Sequence, residues 1–233
     1  MGNSKQQIMD YAKAQGKISV SIFAFASGMN PNTLKQTLST LAKENELVRV
    51  GKGEYVLPTK QHFSYSPSAK IKRIYNELNT ERPFADFCVY DGSILTSIQH
   101  HLSINNAIYV ETNRDVVDFV FLQLQKKYKN VFKQPDAAFV SDYINLQEPC
   151  IIVKTLVTES PLMDVNGIRV PTLEKLLVDT QKDADFDYLQ GAEALYMFQM
   201  AFELYTINTQ KLMRYAKRRN IGQEINELIT QAI

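Results

Sequence analysis

The chain has 233 residues, 45% of them apolar and 22% charged, with a formal net charge of +1. This apolar share excludes a disordered chain, and the length suits one large or two small domains. The two cysteines, Cys88 and Cys150, fit neither a disulfide framework nor a zinc site, and no apolar run approaches the length that spans a bilayer. Buried thiols, no metal, no membrane partner and a cytoplasmic location are therefore expected, the amino end also lacking an apolar signal segment.

In chain order, residues 4–15 place Ile8, Tyr11 and Ala12 on one helical stripe, and a short apolar piece at 20–27 is closed by Gly28. The next helix has the clearest start signal. Asn30 can cap it with its side-chain oxygen, and Pro31 stands at the first helical position, where no backbone N–H is needed. From residue 31 to about 45, Leu34, Leu38 and Leu41 recur at the spacing that puts them on one side, facing a core. Asn32, Gln36, Ser39 and Lys43 fall on the opposite side, flanked by Thr33, Lys35 and Thr40. No carboxylate stands among them, since Glu44 and Glu46 come only at the far end. Residues 47–50 and 54–57 then read as two short strands joined by Gly51-Lys52-Gly53, a tight hairpin with Lys52 at its tip.

Three helices followed by a basic hairpin predict a winged helix-turn-helix over residues 1–62. Eight basic side chains (Lys5, Lys13, Lys17, Lys35, Lys43, Arg49, Lys52, Lys60) face four acidic ones (Asp10, Glu44, Glu46, Glu54) in this part. Its formal +4 leaves −3 for the rest, an asymmetry that favours a polyanionic partner, here double-stranded operator DNA. The expected docking lays the helix from Pro31 in a major groove. Asn32, Lys35, Gln36 and Ser39 then lie near base edges, Thr33 and Lys43 toward phosphates, and Arg49 and Lys52 along the backbone or minor groove. Operators usually present paired half-sites, so a homodimer or two bound copies is expected.

Residues 58–67, bracketed by prolines and without periodicity, read as a linker. The second domain, 68–233, begins with alternating elements: helix 68–79, strand 87–90, helix 94–101, strand 107–111 and helix 115–127. A buried strand at 150–157 follows, then a hairpin at 164–170 around Asn166-Gly167. The last third reads as a helical bundle, with helices at 172–179, 188–206, 209–219 and 223–232.

Val89-Tyr90-Asp91-Gly92-Ser93-Ile94-Leu95, Tyr109-Val110-Glu111, the run from Val170 to Asp179 (Val-Pro-Thr-Leu-Glu-Lys-Leu-Leu-Val-Asp) and Arg214-Tyr215-Ala216-Lys217-Arg218-Arg219 follow the amino-terminal part. Together with it they give the chain a pattern that resembles the AbiEi-type antitoxins over nearly its whole length. The resemblance implies an antitoxin of a bicistronic toxin–antitoxin or abortive-infection system. Its first domain would repress its own operon, and its second would counter a nucleotidyltransferase-like toxin.

An enzymatic alternative starts from Gly92-Ser93 at a strand-to-helix turn and from Glu111, which suggest a Mg-dependent nucleotidyltransferase. Two Mg²⁺ ions about 3.5–4 Å apart require several carboxylates converging from adjacent strands. The position two residues after Glu111 is Asn113, and the strand at 150–157 offers Lys154 where another acid would be needed, leaving Asp91 and Glu159 scattered. The expectation is therefore a nucleotidyltransferase-like scaffold, with no catalytic residue, metal ligand or cofactor assigned. His100 and His101, adjacent on a helix, diverge by about 100° and make no ligand pair. On the helix from residue 209, Lys211, Arg214, Lys217 and Arg218 form a basic stripe suited to nucleic acid or an acidic partner. The expected fold is thus α+β, a winged helix followed by a mixed-sheet domain that ends in helices.

Overall fold

A computed structural model of the chain describes residues 2–44, 46–58, 60–100 and 105–233. It is a mixed α+β structure with two compact units, Met1–His62 and Phe63–Ile233. Among the described residues no helix is long and apolar enough to cross a membrane.

The first unit contains helices α1 (Gly2–Gln15), α2 (Val20–Ser27) and α3 (Pro31–Lys43), and strands β1 (Lys17–Ser19), β2 (Val48–Gly51) and β3 (Glu54–Val56). Gly28 ends α2 in the left-handed region, which closes the helix without steric penalty. The Asn30 side chain accepts from the Asn32 N–H at 2.9 Å and opens α3. Leu34, Leu38 and Leu41 are buried with Ile8, Ala12, Ile18, Phe23, Leu47 and Tyr55 in one apolar core. The helix ends at Lys43, and Asn45, the end expected for it, lies outside the described residues. The sheet is antiparallel in the order β1-β3-β2. Strand β1 was not anticipated, because three residues are too few to show alternation, and only Ile18 marks its inward side. At the hairpin tip Gly53 takes φ +75°, while Gly51 stays extended as the last residue of β2.

The second unit centres on a four-stranded sheet of β4 (Phe87–Asp91), β5 (Ala107–Thr112), β6 (Val131–Lys133) and β7 (Cys150–Thr155). Its order is β4-β5-β7-β6, with β4 antiparallel to β5 and the other pairs parallel. Strands covered on both faces must be apolar throughout, and residues 87–90, 107–110 and 150–153 are all buried. Alternation then sorts them. Phe87, Val89, Ile108, Val110, Ile151 and Val153 face one core with helices α4 (Ala69–Glu81) and α5 (Val117–Gln125). Cys88, Tyr90, Tyr109 and Ile152 face the other, with helices α7 (Leu173–Lys182), α8 (Ala192–Leu204), α9 (Thr209–Arg218) and α10 (Gly222–Ala232). Helix α6 (Ala137–Tyr143) leads from β6 toward β7. Strands β8 (Leu162–Val165) and β9 (Ile168–Pro171) pair around Asn166 and Gly167, both at positive φ.

Three expectations are corrected here. The expected helix at 94–101 is a 3-10 turn over Gly92–Leu95, opened by the Asp91 side chain, which accepts from the Ser93 N–H at 3.1 Å. Ser and Thr at 93, 96 and 97 compete for backbone partners and disfavour a longer helix; His101 lies outside the described residues. The single helix expected at 188–206 is divided by Gly191 at φ +66° and ψ −126°, a conformation that belongs to glycine, into a 3-10 segment, Ala184–Leu189, and α8. The segment read as linker is in part core. Phe63 meets Tyr205 edge-on with ring centroids 5.5 Å apart, and the Tyr65 hydroxyl accepts from the Asp91 N–H at 3.2 Å; Thr59 lies outside the described residues.

Gly92 is buried and packs directly on Asn105, whose backbone oxygen a Cβ at Gly92 would strike. Gly92→Ala should therefore cost about 1–3 kcal/mol of stability, the range for overfilling a packed site. Urea unfolding measures it, and an unchanged midpoint would show that Asn105 moves aside freely.

Candidate nucleic-acid interface

In the first unit, α2, α3 and the β2–β3 hairpin line an open groove of about 1000 Å³. Helix α3 contributes Lys35 and Ser39, and the hairpin contributes Arg49 and Lys52; α2 and the turn after it contribute Val20, Ala24, Phe25 and Met29. Among the described residues no carboxylate lines it. The sequence explains why: the acids of this unit are engaged elsewhere. Lys5 Nζ holds Glu44 at 2.9 Å and Glu46 at 2.7 Å, and Lys17 holds Glu54 at 2.9 Å. These hydrogen bonds raise the Lys5 ammonium above its ordinary range. Arg49 Nε donates to the Gly51 carbonyl at 3.1 Å, which curls its guanidinium along the hairpin.

All eight side chains expected at DNA (Asn32, Thr33, Lys35, Gln36, Ser39, Lys43, Arg49 and Lys52) are exposed. The groove brings together Lys35, Ser39, Arg49 and Lys52; Asn32, Thr33, Gln36 and Lys43 lie on α3 outside its lining. Phe25, exposed in that lining, was not singled out from the sequence.

On α9, Arg214, Lys217 and Arg218 are exposed and Lys211 is half-buried. Arg218 is already engaged, by the Thr158 hydroxyl and by Glu159 at 3.8 Å. His100 donates its N–H to Glu193 at 2.7 Å, and its ring meets the edge of Tyr196.

The second unit holds a buried charged centre that sequence reasoning missed. Lys175 on α7 donates to Glu111 of β5 at 2.7 Å and to Asp179 one turn along its own helix. Tyr90 of β4 donates to the same Glu111 oxygen at 3.0 Å, and Tyr215 of α9 donates to Asp179 at 2.9 Å. Arg219 contacts Asp179 at 3.1 Å and also pairs with Asp183; Lys154 of β7 pairs with Asp183 at 3.0 Å and with Asp185. Burial alone would lower the Lys175 ammonium, but Asp179 and Glu111 hold it well above its usual value. Burial raises Asp179 despite Lys175 and raises Asp185 despite Lys154, whereas Lys154 and Arg219 overcome burial at Asp183 and lower it.

Of the acids in the enzymatic alternative, Glu111 belongs to this centre. Glu111 is 3% exposed and bound by Lys175 and Tyr90. Gly92 faces Asn105 rather than open space, and Glu159 is exposed on a turn beside Arg218. A sequence signal did exist: Lys175 and Asp179 are an i,i+4 pair of opposite charge inside an apolar run, which a solvated helix face would not provide.

Residues 33–233 match the model of a family of unknown function, DUF6577. No curated protein matches the chain.

Lys175→Met leaves Glu111 and Asp179 buried without their shared cation, so a loss of about 3–5 kcal/mol is expected at pH 7. Part of it should return on acidification, as the stranded Asp179 carboxyl, which burial already raises, takes up a proton. Asp183→Asn should behave differently. The lowered Asp183 carboxyl stabilises the fold above its unfolded value near 3.8 and ceases to do so as pH falls through its folded value, so the gap to wild type should close below about pH 3.8. Urea titrations across pH check both, and gaps independent of pH would contradict the assigned charges.

Proposed function

We propose that this chain, which belongs to DUF6577, is a regulator that binds double-stranded DNA through the groove of its first unit, and an antitoxin of the AbiEi type. The observation that carries the DNA reading is the groove itself, where Lys35, Arg49 and Lys52 converge with no carboxylate in the lining. Duplex DNA presents a dense row of phosphates, and such a surface gains by releasing their counterions. On this reading the first unit is a winged helix. Helix α3 enters a major groove with Lys35, Gln36 and Ser39 toward base edges, and Arg49 and Lys52 follow the backbone. Two copies on paired half-sites, and repression of the chain's own operon, belong to the same proposal.

The second unit, on this reading, is a nucleotidyltransferase-like scaffold that acts by contact with a nucleotidyltransferase-like toxin. The charged centre supports that reading over nucleotidyl transfer by the chain itself. A two-metal site needs carboxylates open to ions and substrate, whereas Lys175 neutralises Glu111 inside the core and Lys154 faces Asp183 and Asp185.

Fluorescence anisotropy with labelled duplex from the region upstream of the gene tests the DNA reading. Three groove cations predict a log–log salt slope of about −3. Lys35→Ala, Arg49→Ala and Lys52→Ala should each reduce its magnitude by about 1 while weakening binding. Binding that ignores salt and all three substitutions would contradict it. The antitoxin reading predicts that co-expression relieves growth arrest by a toxin encoded in the adjacent reading frame, and continued arrest with both proteins present would contradict that.

A further inference from the structure

The groove has two chemistries. Helix α3 and the hairpin give it cations, and α2 with the following turn gives it Val20, Ala24, Phe25 and Met29. Phe25 stands out among these, being 94% exposed. A large apolar ring left in water beside three cations suits a polyanion that also carries apolar groups. Duplex DNA has one such group at its base edges, the 5-methyl of thymine, and it projects into the major groove only.

We infer that Phe25 is a specificity-determining residue that packs on thymine methyl groups, so that duplexes are selected in part by where their thymines stand. The inference rests on the DNA reading above. Lys35 and Ser39 of α3 line the same groove as Phe25, so a duplex seated on α3 through its major groove meets a surface that includes the ring. Arg49 and Lys52 follow the backbone whatever the sequence, whereas Phe25 discriminates between bases. Apolar contact needs no hydrogen-bond alignment, so an exposed ring on a short helix can serve it.

The test begins with a pool of random 40-base-pair duplexes enriched on the full chain. The enriched duplex is then synthesised with thymine and, separately, with uracil, which lacks only the methyl. Burial of one methyl predicts about fourfold weaker binding of the uracil duplex by wild type. Phe25→Ala should bind both forms alike, and Phe25→Leu, which keeps an apolar contact, should retain part of the difference. Because the ring is exposed, both variants should melt with the wild type. Equal thymine-to-uracil ratios for wild type and Phe25→Ala, with duplex still bound in a salt-dependent way, would overturn this inference and leave the DNA reading intact. Failure to enrich or bind any duplex would overturn both.

Discussion

A carboxylate taken from water needs a cation beside it, and the second unit of this chain is built around that requirement. In the second unit the need is absolute. Glu111 and Asp179 lie in the core between sheet and helices, and Lys175 serves both. Removing one member of such a set costs several kcal/mol because the others stay buried. In the first unit the pairs are exposed, with Lys5 on Glu44 and Glu46 and Lys17 on Glu54. Surface pairs of this kind add at most about 1 kcal/mol each, so their importance lies in the field they leave. With these acids held on Lys5 and Lys17, the groove lining keeps Lys35, Arg49 and Lys52 and no carboxylate among the described residues.

The cations of the groove lining favour the approach of negative charge. A core whose carboxylates are matched to Lys154, Lys175 and Arg219 is arranged for internal cohesion. Four sheet and helix elements, β4, β5, α7 and α9, meet through Tyr90, Glu111, Lys175, Asp179 and Tyr215. This cluster ties the helices of the last third to the central sheet.

Much of this arrangement is written in local patterns. Asn30-Pro31, the leucines at 34, 38 and 41, and Asn166-Gly167 each act through neighbours a few residues away, and the structure forms a helix or hairpin at each. What escaped the pattern depends on distance or brevity. Strands β1 and β6 have three residues each, below the length at which alternation is visible, and they exist because β3 and β7 offer them edges. Gly191 breaks an aromatic-rich run that otherwise reads as one helix. Phe63 and Tyr65 look like linker until Tyr205 and Asp91, far along the chain, are brought beside them. The charged centre joins residues from 90 to 219, and only its Lys175–Asp179 pair is local enough to be seen. In the groove, Lys35, Ser39, Arg49 and Lys52 were nominated from the sequence, whereas Phe25 was hidden because a phenylalanine in an apolar helix reads as core.

The central claim is that the groove of the first unit is a surface for duplex DNA. Titration of the ¹⁵N-labelled full chain with a duplex of about 20 base pairs, followed by amide chemical shifts, tests it most directly. The account predicts shifts concentrated in α2, α3 and the β2–β3 hairpin, residues 20–56, which recede as salt is raised. Shifts centred on the second unit, or none at any salt concentration, would contradict it.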